Sequence, residues 1–216
     1  MTSQISILLV EDHTIVRGGL AAIIGFEADM KVVGEASDGV EAVEMARRLK
    51  PDVIIMDLLM PRMDGIEAMA HIRAEDPDAH ILVLTSFGDT DKMLQAVKAG
   101  AQGYILKNAP PEELLNAIRD VSRGAISFQP AIAHQIIDGL SKSERVDTQE
   151  EPLTARETEV LVMIANGLSN DDIAEKLTIS KRTVNVHINN IMGKLHLANR
   201  AQAAIYAVRK GLITVF

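Results

Sequence analysis

Four short apolar runs, 5–10, 53–56, 81–84 and 104–106, each stop at residues with polar chemistry: Glu11-Asp12, Asp57, Thr85 and Lys107. Runs this short and this uniformly apolar read as strands buried on both faces, the pattern of a parallel sheet covered by helices. With a further candidate strand at 31–36, residues 5 to about 123 alternate strand-like and helix-like stretches five times. The helical stretches keep three- and four-residue apolar spacing through Val16-Leu20-Ile23-Ile24, Val40-Val43-Ala46-Leu49 and Leu114-Leu115-Ile118-Val121. Asp38 and Thr90 suit helix N-caps, and Pro110 or Pro111 suits a first helical turn. Right-handed βα crossovers limit the topology to a doubly wound α/β sheet, and a flavodoxin-like order 2-1-3-4-5 is expected for five strands.

In that order the polar strand ends converge on the carboxyl edge of the sheet, where open α/β folds bind ligands. Taken singly, each is an ordinary loop residue; together they make a phosphate crevice. Clustered Glu11, Asp12 and Asp57 repel one another unless a cation is present. Mg²⁺ takes oxygen ligands and is commonly completed by a phosphate oxygen. Asp57 is the best nucleophile, because an aspartate can form an aspartyl-phosphate. Lys107 can offer a point charge to a phosphoryl group, and the Thr85 hydroxyl can hydrogen-bond to one of its oxygens. His13 reads as a loop or helix-start residue, and Met60, Met63, Met69 and Met93 as core or loop filler. A Mg²⁺-dependent phosphohydrolase is a rival reading. The neighbours of Asp57, however, are Leu58, Leu59 and Met60, which supply no general acid. Slow self-dephosphorylation is expected; turnover of a substrate is not.

The remainder of the chain is organised differently. Its 216 residues allow two small domains, and no apolar stretch approaches the roughly 20 residues of a membrane span. With no cysteine there is no disulfide framework and no catalytic thiol, and the apolar run at 5–10 lacks the basic n-region of a signal peptide. A cytoplasmic location fits. A first domain is expected over 1–124, then a connector over 125–152 with a short helix near 130–140 through Ile132, Ile136 and Ile137. Positions 141–152 are polar and without apolar period, as in a linker. The net charge of −8 is uneven: from residue 153 onward eight Lys and Arg stand against five Asp and Glu. A mildly basic segment behind an acidic body points to a polyanion partner for the segment alone.

Residues 153–216 carry four helix signals. Thr154 with Glu157 makes a capping box, Gly167 suits a C′ position, and Ser169 with Asp172 opens the next helix. Ser180 caps a third helix, and Asn199 with Gln202 starts a fourth. Two helices joined by a tight turn, the second amphipathic and basic at its start, describe a helix-turn-helix in an all-α domain. In the third helix Val184, Ile188, Ile191 and Leu195 face the core. Arg182, Asn185, Val186 and Asn189 then point outward, able to meet base edges in a major groove. Lys181, Thr183 and Lys194 are placed for phosphates, which position a protein without reading sequence.

The segments ILLVEDH, DVIIMDLLMPRMDG, ILVLTSF and GYILK resemble the receiver domain of two-component response regulators. That resemblance implies Asp57 as phosphoacceptor, with Glu11, Asp12, Asp57 and the Leu59 carbonyl around Mg²⁺. It also implies Thr85 and Tyr104 as a switch pair, with Tyr104 moving inward, and Lys107 on the phosphoryl group. Many receivers place a cis-proline after that lysine; Asn108 stands there, so a trans bond is expected. The segment LTARETEVLVMIANGLSNDDIAEKLTISKRTVNVHINNIMGKL is similar to the LuxR-type output domain, which together with a receiver defines the NarL/FixJ class. The family often carries a basic residue where Asn185 stands, so a shallow salt dependence and modest affinity per monomer are expected. The resemblance further implies a histidine kinase as phosphoryl donor, double-stranded DNA with paired half-sites, and a homodimer formed through the fourth output helix. A DNA-binding protein with a phosphate-insensitive receiver is the remaining alternative.

Overall fold

Strands β1 (Ile5–Val10), β2 (Met30–Ala36), β3 (Val53–Met56), β4 (Ile81–Thr85) and β5 (Gly103–Leu106) form an all-parallel sheet in the order β2-β1-β3-β4-β5. This computed structural model describes residues 4–86, 90–128 and 151–213. The short helix expected near 130–140 lies outside them. A sixth strand, β6 (Ser127–Phe128), pairs parallel with β5. The sheet therefore continues past residue 124 into positions read from sequence as connector. Two residues carry no measurable alternation, so nothing in the sequence announced the strand.

Side chains alternate across the sheet with period two. Leu8, Val10, Ile54, Met56, Ile81, Val83 and Tyr104 enter one core, closed by α2 (Gly39–Leu49), α3 (Gly65–Glu75) and α4 (Thr90–Ala99). Ile7, Leu9, Val53, Ile55, Leu82, Leu84 and Ile105 enter the other, closed by α1 (Thr14–Gly25) and α5 (Pro111–Ser122). Asp38 caps α2 by accepting from the Val40 and Glu41 amides, and Pro111 occupies the first position of α5. The expected stripe of α2 meets the core at Val43, Ala46 and Leu49 but not at Val40. Val40 is exposed, and the buried positions are Gly39, Ala42 and Ala46. A Cβ on Gly39 would overlap Met63, so small residues let α2 lie close to the β3–α3 loop.

The second unit consists of α6 (Ala155–Ala165), α7 (Asn170–Leu177), α8 (Lys181–Lys194) and α9 (Arg200–Arg209). Thr154–Glu157 and Ser169–Asp172 form reciprocal capping boxes, while Ser180 and Asn199 each accept from the third helical amide. Each such cap is worth about 1 kcal/mol. Val184, Ile188, Ile191 and Leu195 are buried as the wheel requires, against Val160, Leu161, Ile164, Ala203 and Ala207. The two units touch: Ala201 and Ile205 of α9 join the core cluster that contains Met93, Ala96 and Val97 of α4. Among the described residues no helix is long and apolar enough to cross a membrane.

Candidate functional site

The carboxyl edge of the sheet gathers the predicted crevice. Asp57 follows β3, its amide donating to the Val10 carbonyl at 2.9 Å, while the Glu11 amide donates to Ala36. These bonds place the acids side by side: ligand atoms of Glu11, Asp12, His13 and Asp57 lie within 4.8 Å of one another. Lys107 reaches in from the end of β5, and its Nζ stands 2.7 Å from Asp57 Oδ2 and 2.6 Å from Glu11 Oε2. Burial works against the Lys107 charge, but the two carboxylates outweigh it and raise its pKa above the ordinary lysine value. The Lys107 amide also donates to the Thr85 carbonyl at 2.9 Å, which ties the β4 and β5 ends together. The Lys107–Asn108 bond is trans, as expected.

The donor set fits a hard divalent cation. Glu11 and Asp57 are almost wholly buried, and Glu11 Oε2 and Asp12 Oδ1 have no hydrogen-bond partner. Lys107 meets Glu11 Oε2, and His13 meets Asp12 Oδ1, as ion-pair contacts outside hydrogen-bond geometry. One ammonium against three carboxylates leaves negative charge uncompensated, and oxygen ligands are what such a cation takes. His13, set aside from sequence, belongs to the cluster: its Nδ1 is 3.1 Å from Glu11 Oε1. The two acids raise its pKa above the ordinary histidine value, Glu11 foremost.

Neighbouring residues fix this geometry, and most were not legible in sequence. Asp57 Oδ1 accepts from the Leu58 amide at 2.7 Å. Gly65 opens α3 directly against Asp57, where a Cβ would collide with the Asp57 carbonyl. Arg62 anchors the same loop through ion pairs with Asp38 and Glu41. Arg17 donates to the Glu11 carbonyl and pairs with Glu35. Thr85 is buried at the end of β4, and Leu59 is exposed two residues beyond Asp57. Tyr104 is fully buried in the core.

The second predicted site is the outer face of α8. Lys181, Arg182, Asn185, Val186 and Asn189 are all exposed there, and Thr183 shares a 2.8 Å hydroxyl contact with Ser180 at the helix start. Lys181 Nζ lies 3.0 Å from Asp171, with both side chains open to solvent. Lys194 is not on this face. Its Nζ donates to the buried Glu157 carboxylate at 2.7 Å rather than standing free for the expected phosphate contact. That bond, with the Thr154 amide next, lowers the Glu157 pKa to about 2. Asn185 Oδ1 accepts from Asn170 at 2.8 Å, a partner in α7 that sequence reading did not reach.

A phosphate crevice on a doubly wound sheet, joined to a helix-turn-helix, defines a phosphorylation-type input coupled to a nucleic-acid output. Residues 7–119 match the response regulator receiver domain, and residues 151–207 match the bacterial regulatory proteins of the luxR family. The chain belongs to the NarL/FixJ class of two-component response regulators, the transcription regulators that join these two domains. It is 46% identical over 210 residues to the transcriptional regulatory protein LiaR of Bacillus subtilis strain 168, covering 97% of this chain and 100% of LiaR. It is 40% identical over 209 residues to the response regulator VraR of Staphylococcus aureus, covering 97% and 99%. Among solved structures, a LuxR-family regulator from Aurantimonas sp. SI85-9A1 aligns with a TM-score of 0.60 at 39% identity, over 66% of this chain and all of that one. ChrA, the response regulator of a heme-sensing two-component system, aligns at 0.54 and 36% identity over 99% and 100%.

Proposed function

We propose that Asp57 accepts a phosphoryl group from the phosphohistidine of a partner kinase, and that the phosphorylated chain pairs on promoter DNA in the cytoplasm. The observation that carries this reading is the Lys107 bridge between Asp57 and Glu11, in a crevice where Glu11 Oε2 and Asp12 Oδ1 are buried without a hydrogen bond. In the transfer an Asp57 oxygen attacks phosphorus, the P–N bond to the donor imidazole breaks, and the imidazole leaves with the electron pair. Mg²⁺ held by Glu11, Asp12, Asp57 and the Leu59 carbonyl would offset charge between the dianion and the acids. Lys107 turns from the carboxylates to the phosphoryl oxygens, and the Thr85 hydroxyl donates to one of them. Leu58, Leu59 and Met60 supply no general acid for an external substrate, and His13 and Lys107 are engaged with the crevice carboxylates, so the proposed chemistry is self-phosphorylation from a donor and slow self-dephosphorylation.

The receiver extends through β6, a connector follows, and the output domain occupies 153–216. Val186 is 50% exposed, so the reading face of α8 is open, whereas α9 carries Ala201 and Ile205 into the receiver contact. Since α9 is the helix that joins two copies on DNA, the receiver restrains pairing and leaves reading free. Phosphorylation loosens that contact and yields a dimer on two half-sites, with Arg182, Asn185, Val186 and Asn189 toward bases and Lys181 and Thr183 toward phosphates. The test compares wild type with Asp57→Asn, each with and without acetyl phosphate. Phosphate-driven gain in DNA binding is expected for wild type alone. Equal response, or none, in both proteins overturns the reading.

A further inference from the structure

Arg200, the first residue of α9, is buried, and among the described residues no carboxylate pairs with it. Its Nη1 donates to Asn170 Oδ1 at 2.6 Å, and its Nη2 donates to the Leu168 carbonyl. Asn170 Nδ2 in turn donates to Asn185 Oδ1 at 2.8 Å. The direction of this chain is forced by chemistry. A guanidinium has donors only and stays protonated; burial pulls its pKa down to about 10, which still leaves it charged at neutral pH. Asn170 must therefore turn its oxygen to Arg200 and its NH₂ to Asn185. Asn185 must then turn its oxygen inward, which leaves its own NH₂ toward the exposed face of α8.

We propose that Arg200 and Asn170 are positioning residues that fix the Asn185 amide, so that α8 offers the major groove a hydrogen-bond donor at this position. The inference rests on the reading of α8 as the groove helix. A free carboxamide can rotate to present either end and discriminates poorly between base edges. Held in this orientation, Asn185 selects an edge with acceptors, such as guanine O6 and N7, over cytosine, whose groove edge carries the N4 amino donor. Asn185 stands one residue before Val186, whose exposed side chain can meet a thymine methyl, so the two define adjacent parts of one half-site.

The test selects DNA from a random pool with the full chain and acetyl phosphate, using wild type and the variants Asn185→Ala, Asn170→Asp and Asn170→Ala. Wild type is expected to favour guanine over cytosine at one half-site position by roughly fivefold or more. Asn185→Ala flattens that position alone. Asn170→Asp keeps an acceptor for Arg200 but presents only oxygen to Asn185, whose amide then rotates; the preference reverses toward cytosine. Asn170→Ala releases the amide and relaxes the preference, which decides the matter should Asn170→Asp fail to fold. A merely structural role would lower binding without moving the preferred base. An unchanged consensus in Asn185→Ala, or a wild-type preference in both Asn170 variants, overturns the proposal while α8 remains the reading helix. Absence of any selected sequence with wild type overturns both.

Discussion

Asn199, the N-cap of α9, donates from Nδ2 to the carbonyl of Val97 in α4, 2.7 Å away across 102 positions of the chain. Around that bond, Ala201 and Ile205 pack into the receiver core. A net hydrogen bond contributes about 1 kcal/mol and two modest apolar side chains a few more. A contact of that size can hold α9 at rest and still be released by a ligand favouring the other state by a few kcal/mol. Amide hydrogen exchange over α9 is therefore expected to speed up when acetyl phosphate and Mg²⁺ are added to wild type, and to stay unchanged in Asp57→Asn. Equal protection in phosphorylated and resting wild type would remove this contact from the switch.

Lys107 has two buried carboxylates within 2.7 Å and acts as the internal counter-ion of the crevice. Replacing it with methionine leaves Glu11 and Asp57 facing each other without a cation, and removing one partner of a buried ion pair costs roughly 3 kcal/mol. A divalent cation bound to the folded state alone restores stability by mass action. Thermal melts of Lys107→Met should thus show a lower Tm than wild type without Mg²⁺ and a larger Mg²⁺-dependent rise. Parallel Mg²⁺ shifts in the two proteins would mean that Lys107 and the cation do not share these carboxylates.

The Glu157–Lys194 pair makes output-domain stability dependent on acid. Glu157 titrates at about 2 in the fold against an ordinary 4.5, so its stabilisation is complete above about 4.5 and is lost as pH falls toward 2. At neutral pH, Glu157→Gln is expected to cost on the order of 2 kcal/mol, from loss of the charged pair with Lys194, since glutamine can still accept from the Thr154 amide. Chemical denaturation of the full chain between pH 3 and pH 7 measures it. The gap between variant and wild type should hold from pH 7 to about 4.5 and narrow below it, and a constant gap down to pH 3 would assign the loss to packing.

What the sequence revealed and what it hid follow from the range of the interactions. The strand ends were legible because apolar runs and their terminating residues are contiguous, so Glu11, Asp57, Thr85 and Lys107 could be placed before any contact was known. Caps were legible for the same reason: Thr154 and Glu157 lie three residues apart. The Lys194–Glu157 bond was not legible because a helical wheel shows which face a residue takes, not that Glu157 of another helix waits there. Asn170 and Arg200 escaped because their partners lie 15 and 30 positions away. The burial of Tyr104 was not legible either, because it depends on the core that α2, α3 and α4 close over it.

The outer face of α8, proposed above to read DNA, carries two exposed cations, Lys181 and Arg182, while Lys194 bonds to Glu157. The Lys181–Asp171 pair is open to solvent on both sides, and such pairs contribute under about 1 kcal/mol, so a DNA phosphate can displace the carboxylate. Each phosphate neutralised on duplex DNA contributes about −0.9 to the slope of log affinity against log salt. The contribution of α8 should then be near −2 per monomer. Lys181→Ala should make the slope shallower by about one, equally on specific and non-specific DNA. Lys194→Ala should leave the slope unchanged while lowering the melting temperature. A slope change in Lys194→Ala matching that of Lys181→Ala would return Lys194 to the DNA face and mean that the Glu157 bond opens on binding.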